Sequence, residues 1–511
     1  MRNFLKGRKL KYGSVSILLT VLVVAAMIIL NAAISALAAG FGWYADMSQS
    51  LVYDIGDDCQ AYLESIVFPL MDERNTQSGK NQKIEIIFCD ELKNLDDDLS
   101  QEYILNSILD LKELYPNRVE ISHLNVWENP KEAKAYGVGD ASDIIFKFGD
   151  RFTTLSVSQF YVLSGGDTEN PTGYNAERRI SSALLRVVSE SSPMCYLTLN
   201  HGESLDSDEL LYTLADAGWD YGFIDLAASD IPEDCELLIT ANPTSDLLEP
   251  SQTSQISETS KLDEYMSAGG KYMVFLSAET LSSFELKNFE SFLAKWGVKY
   301  MTASANNGNG CYFLKDSSNS VSVDGASFFA QYAGNPVANK IFDGAKKNNL
   351  FGGATALTFT EDFSPNGDGT YSYKNKTYAP LLQSYASAEA WSGGLLVDKA
   401  NDTLFTLMSL TTDKCENGKT AYLFVSSSVN FCEEEALQST VYGNNETILR
   451  IISHMGYKDV PLSITSRALT TPPIQDLTTR DASVITVLLC IIPVAVISFV
   501  GVFVLVRRKH S

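Results

Sequence analysis

Residues 194–203 read MCYLTLNHGE, an apolar run that ends in a polar turn. The next residues have the marks of a capped helix. Asp206 stands where a cap would, Glu209 lies three residues on as in a capping box, and Leu210, Leu211 and Leu214 supply one apolar face. Gly218 is placed to end the helix, and a second apolar run, 220–226, begins at once. The stretch therefore predicts a β-α-β unit.

The same alternation continues downstream. Apolar runs at 236–241, 271–276 and 420–426 are interleaved with helical periodicity near 257–268, 285–296 and 446–455, and Gly269-Gly270 and Gly297 act as stops. Strands alternating with helices predict an α/β fold, a doubly wound and mostly parallel sheet covered on both faces. Ligands of such sheets sit beyond the carboxyl ends of the strands. That rim carries His201, Gly202, Glu203, Asn242, Ser277 and Ser426, the candidate ligand- or partner-binding residues.

Upstream, the order is β-α-β-(α)-β-β-α. It comprises a strand at 83–89, a helix opened by Ser100, a strand at 119–124 and a short helix from Pro130 to Gly137. A hairpin of 143–148 and 152–157 turns at Gly149-Asp150, and a helix capped by Asn175 comes next. This order resembles a thioredoxin-type domain over 40–190, followed by the larger domain over 191–460. The redox pair of that fold is missing, because Cys89 is followed by Asp90, Glu91 and Leu92. From about 300 to 410 the pattern changes to β-runs with glycine and asparagine turns, a β-rich insertion. Within it, DFSPNGDG at 362–369 has alternating Asp362, Ser364 and Asn366, but the twelfth position of a calcium loop is Tyr373 rather than Glu. A plain turn is expected there.

The ends are different in kind. Residues 15–39 hold no charge and are long enough to cross a bilayer, as are residues 484–506. Ala36-Leu37-Ala38 also resembles a cleavage site, but the apolar run exceeds a signal-peptide core, so an uncleaved anchor is expected. Arg2, Lys6, Arg8, Lys9 and Lys11 precede the first span, and Arg507, Arg508 and Lys509 follow the second. The positive-inside rule then places the tails 1–14 and 507–511 in the cytoplasm and residues 40–483 outside. The predicted location is thus the plasma membrane, with two passes. A proline- and threonine-rich linker, 461–483, leads to the second span.

Charge narrows the partners. Removing the eight terminal cations from a total of 39 leaves 31 basic against 63 acidic residues, a surface ill suited to nucleic acid. Cysteines 59, 89, 195, 235, 311, 415, 432 and 490 have no CxxC spacing, and buried free thiols are expected. There is no P-loop, G-x-S-x-G or H-E-x-x-H motif, so neither ATP bound by a P-loop nor any other cofactor is expected. The histidines are His123, His201, His454 and the terminal His510. His201-Gly202-Glu203 reads either as an acid–base pair or as a turn whose side chains tie neighbouring loops together.

Taken in order, these pieces resemble the GldG-like family, the auxiliary component of gliding-motility-type ABC transport systems. The resemblance rests on the strand with HGE at 196–203, IPEDCELLITANP at 231–243 and YMSAGGKYMVF at 265–275. It is extended by FLAKWGV at 292–298, NPKEAKAYGV at 129–138, YNAERRISSAL at 174–184 and the closing apolar span with its arginines. Asn200 stands where the family usually has glycine, and its P-x-D-D/A-x-D-L segment runs here Pro232-Glu233-Asp234-Cys235-Glu236-Leu237. The resemblance implies a non-catalytic partner of a membrane permease and a separate ATPase. It also implies a second domain similar to the class I glutamine-amidotransferase-like fold. The nucleophilic cysteine of that fold is not carried over, since 271–276 runs into Ser277-Ala278-Glu279. Two other readings remain. One is a surface hydrolase or amidotransferase-like enzyme using His201 and Glu203 with Ser277 or Ser426, and the other is a cell-wall or glycan-binding protein.

Overall fold

Five parallel strands form one half of the large sheet. Their spatial order is Asp220–Ile224, Met194–Thr198, Cys235–Ala241, Lys271–Phe275 and Thr420–Ser426. Numbered along the chain, this is the order 2-1-3-4-5, in which the winding direction reverses between the first and third strands. Period-two alternation sends successive side chains to opposite faces. Leu237, Ile239, Met273, Phe275 and Phe424 pack with the helices Glu209–Asp216 and Asn444–His454. Leu238, Tyr272, Val274, Leu423 and Val425 pack with Glu258–Ser267 and Lys287–Lys295. Both faces of the central strands are covered, which is why they read as nearly continuous apolar runs, while Tyr221 and Phe223 on the edge strand stay exposed.

The computed structural model describes residues 53–469, apart from 92–94, 96–98, 164–170, 206–207, 251–254, 304–309, 402, 440, 458–459, 463 and 465, together with Ile29. Ile29 aside, the expected spans, the basic tails and the linker beyond 469 lie outside the described residues. Among those described, no helix is long and apolar enough to cross a membrane. The chain divides into the units Met1–Asp54 and Ile55–Ser511, and the sheets with their covering helices all belong to the second.

Beyond Thr420–Ser426 the sheet continues antiparallel through Thr406–Lys414, Lys376–Gln383, Ser327–Tyr332 and Asn349–Gly352. Most strands of the β-rich stretch from 300 to 410 therefore extend the main sheet, while Phe313–Lys315, Glu389–Ser392 and Leu395–Lys399 form a three-stranded sheet of their own. The 362–369 segment is a hairpin turn. Ser364–Pro365 pairs with Tyr371–Tyr373, and Asp368 accepts from the Thr370 amide and hydroxyl.

A separate four-stranded sheet has the order Val119–His123, Ile84–Phe88, Ile144–Phe148, Arg151–Leu155. Its first pair is parallel and the others antiparallel. The Gly149-Asp150 hairpin is as expected: Phe148 faces Arg151, and Gly149 has φ +62. That value suits the first position of a two-residue turn. One element escaped the sequence reading altogether. Asp57–Tyr62, a π turn at Leu63–Val67 and Phe68–Ser78 run on as successive helical segments. The π turn brings Pro69 to the first turn of the last segment, where its missing N–H is harmless.

Helix Ala176–Val188 joins the two sheet systems. It packs on the Ile144–Leu155 hairpin and on Glu209–Asp216. Arg179 Nη1 meets Asp216 Oδ1 at 2.6 Å, and Arg178 Nη1 donates to Asn445 Oδ1 at 2.8 Å. Two expected caps are corrected. Asn175 precedes this helix without capping it, because its Oδ1 accepts from Ser466. Glu209 is the first residue of its own helix, not the third, and its carboxylate is bound by Gln438. Asp206 lies outside the described residues. The glycine stops hold: Gly218, Gly269 and Gly297 all have positive φ, and Trp219 N donates back to Leu214 O at 3.0 Å.

Candidate functional site

The reversal of winding places two chain turns side by side, one after Thr198 and one after Ala241. The first begins when Leu199 N donates to Ile224 O at 2.8 Å. Asn200 and Gly202 then take positive φ, +75 and +69, so the backbone folds back within three residues. A Cβ on Gly202 would lie 2.0 Å from Thr244 Oγ1, so glycine is required by conformation and by space together. The second turn is laced to the first. Thr244 N and Ser245 N both donate to His201 O at 2.8 Å, and Ser204 N donates to Ala241 O at 3.1 Å.

His201 is buried at the centre of this junction. Its Nδ1 is 3.3 Å from Glu203 Oε1, and its Nε2 is 2.8 Å from Glu258 Oε2. Glu203 Oε2 accepts from the His201 amide at 2.7 Å. Glu258 is the first residue of helix Glu258–Ser267, where the helix dipole favours a carboxylate, and its Oε2 also accepts from Leu248 N at 2.6 Å. Hydrogen bonds to Glu203 and then Glu258 push the imidazole up to about 10, against the opposing effect of burial. Burial by itself would raise the Glu203 carboxyl, but hydrogen bonds from His201 and Thr198 hold it below the usual range. At neutral pH the imidazole is therefore held protonated, with one ring nitrogen on Glu203 and the other on Glu258.

Hydroxyls continue the network beneath. Thr198 Oγ1 and Thr240 Oγ1 are 2.8 Å apart, and Thr240 Oγ1 and Tyr272 Oη 2.7 Å. Two buried oxygens, Glu258 Oε1 and Asn242 Oδ1, have no partner among the described residues.

The remaining rim residues do not converge on this cluster. Asn242, with φ +50, donates from its amide to Phe275 O at 2.7 Å and from Nδ2 to Ser204 Oγ at 3.2 Å. Ser277 is buried ahead of Ala278–Ser283, and Ala278 N is bonded to Gly353 O. Ser426 Oγ donates to Ser428 O at 2.9 Å. No described hydrogen bond joins either serine to His201. His123 ends a strand of the small sheet, and His454 ends helix Asn444–His454 with its ring edge-on to Tyr422. The sequence had put His201 and Glu203 together, and they are together. It had missed Glu258, whose one local sign is an acid in the first turn of the helix that follows the third strand.

Both ring nitrogens of His201 meet carboxylate oxygens, at 3.3 and 2.8 Å, whereas a triad histidine turns one of them to the serine hydroxyl. Among the described residues, no group of three or more His, Cys, Asp or Glu is placed to hold a metal ion. Clefts of about 770 and 870 Å³ lie elsewhere, around Trp219 and Tyr457 and around Phe359 and Tyr371.

No family model matches the sequence, and no curated protein does. Among solved structures, the mmIFT52 N-terminal domain is similar over 51% of this chain and 96% of its own, at 12% identity and a TM-score of 0.34. A cytoplasmic protein from Salmonella typhimurium matches 54% of this chain and 99% of its own, at 10% identity and a TM-score of 0.31. PurLQS from Thermotoga maritima matches 52% and 100%, at 12% identity and a TM-score of 0.28. These likenesses are too slight to carry an argument about this chain.

Proposed function

We propose that this chain is a membrane-anchored, extracytoplasmic and non-catalytic auxiliary subunit of an ABC-type transport system, acting with a separate permease and ATPase. The observation that carries the non-catalytic part is the His201 cluster. At the topological switch point, where doubly wound sheets bind their ligands, the one histidine is locked between Glu203 and Glu258. An ion triad there ties turns together and leaves no free base. The transport part is supported by the dispersed GldG-like segments and by two charge-free stretches that bracket an acidic middle. On this reading the four-stranded sheet is a thioredoxin-type packing module without its redox pair. The 2-1-3-4-5 sheet is likewise an amidotransferase-like scaffold without its nucleophile.

The test is purification of the tagged full-length chain in mild detergent from its own cells. An ABC permease and an ATPase should co-purify in fixed proportion. Repeated recovery of the chain alone, from cells that express those subunits, would count decisively against the proposal. Topology is checked separately. A membrane-impermeant protease on intact cells should digest residues 40–483 and spare tags at both termini.

A further inference from the structure

Strand Leu357–Phe359 meets Thr406–Lys414 at a single pair, Leu357 with Thr406. Thr358 and Phe359, beyond that pair, line a cleft of about 870 Å³ in the β-rich half of the sheet. That size is typical of sites for small organic ligands. Part of the lining is aromatic. Phe359 and Tyr371 stack with centroids 3.8 Å apart and planes at 24°, and Tyr378 stands edge-on to Tyr371 at 6.1 Å. Tyr378 is fully buried, so the arrangement is held from below.

Another part of the lining is polar: Gln383, Asp398, Asn401 and Thr403. No described hydrogen bond uses the side chains of Gln383, Asn401 or Thr403. In the described bond of the Asp398 carboxylate, Oδ1 accepts from the Lys399 amide at 2.8 Å. Lys399, also on the rim, is paired with Glu389 at 2.6 Å. The lining thus combines aromatic rings with two amides, a hydroxyl and a carboxylate with free acceptor capacity.

We propose that this cleft binds a neutral oligosaccharide. A pyranose ring has an apolar C–H face that packs on aromatic carbon and an edge of hydroxyls that both donate and accept. Amide side chains match such hydroxyls, and a carboxylate can accept from two adjacent ones. A purely apolar ligand would strand the four polar groups on burial. An anionic glycan would meet Asp398 and a chain of formal net charge −24. The proposal stands on the cleft alone and is independent of the transport role.

The experiment uses the full-length chain in a detergent without a sugar headgroup, titrated with cellohexaose, mannohexaose and chitohexaose by calorimetry. At least one should bind saturably. Tyr371→Ala should weaken that binding about tenfold or more, since stacking on one ring is a principal contact. Asp398→Asn and Asn401→Ala lie on the exposed rim and should weaken it severalfold at an unchanged melting temperature, so the test survives if Tyr371→Ala fails to fold. No binding by any of the three up to about 10 mM would overturn the proposal. So would equal affinity in the wild type and the rim variants. Binding of a Ser-Thr-Ala hexapeptide in place of the sugars would overturn it in favour of a peptide groove.

Discussion

His201 Nε2 lies 2.8 Å from Glu258 Oε2, across 57 residues of sequence, and fastens the turn after the first strand to the start of a helix that follows the third. Glu258 is wholly buried, and the His201 ring is the cationic group that meets its Oε2. Removing one partner of such a pair typically costs about 3–5 kcal/mol, because the other charge stays buried. His201→Gln is expected to fall in that range by urea unfolding. The pH dependence has a defined sign. A histidine raised from 6.5 to about 10 on folding contributes stability fully below pH 6.5 and loses it as pH rises towards 10. Wild type should therefore lose stability over that window relative to His201→Gln. Parallel curves from pH 6.5 to 10 would refute the ion triad.

Gly202 and Thr244 make a second measurable pair. Gly202→Ala places a methyl 2.0 Å from Thr244 Oγ1 at a φ of +69. Conformational strain alone is about 1 kcal/mol or more, and overpacking adds roughly 1–3. Thr244→Ala in the same chain removes the hydroxyl but leaves its Cβ at 3.3 Å. The double variant should thus recover part of the loss but not all of it. Full recovery would mean that φ is not the constraint.

Arg179 and Asp216 bind the helix at the edge of the small sheet to the first helix of the large one, and both are buried. Arg179→Met leaves Asp216 without its ion partner and should destabilise by about 3 kcal/mol or more. Adding Asp216→Leu removes the stranded charge and should restore most of the loss. If the single and double variants unfold alike, the ion pair is not what the residues contribute.

Legibility followed the range of the interactions. Strand Thr420–Ser426 and the stops at Gly218, Gly269 and Gly297 were readable because periodicity and positive φ are local demands. The pairing of His201 with Glu203 was readable for the same reason, being two residues wide. Glu258 was not, since nothing near it in sequence records which turn it will meet. The helical stretch from Asp57 to Ser78 was hidden by Pro69, which a π turn accommodates. The caps at Asn175 and Glu209 failed because tertiary partners, Ser466 and Gln438, outcompeted the local bonds. That most of the 300–410 strands extend the main sheet depends on long-range register, which alternation does not encode.

The cysteines give the last prediction. Burial pushes the thiols of Cys59, Cys89, Cys235 and Cys311 up to about 12, and raises Cys195 and Cys432 well above the usual value. The thiolate is the reactive form, so at pH 8 these six should react only when the surrounding structure opens. Cys415 differs: it is partly exposed, on the stretch after Thr406–Lys414. In a Cys490→Ser background, maleimide should label one site quickly, and peptide mapping should place it at Cys415. The other six should follow at the rate of unfolding and should be labelled together in urea. Rapid native labelling of two or more of the six would show that the strands carrying them are not buried as described.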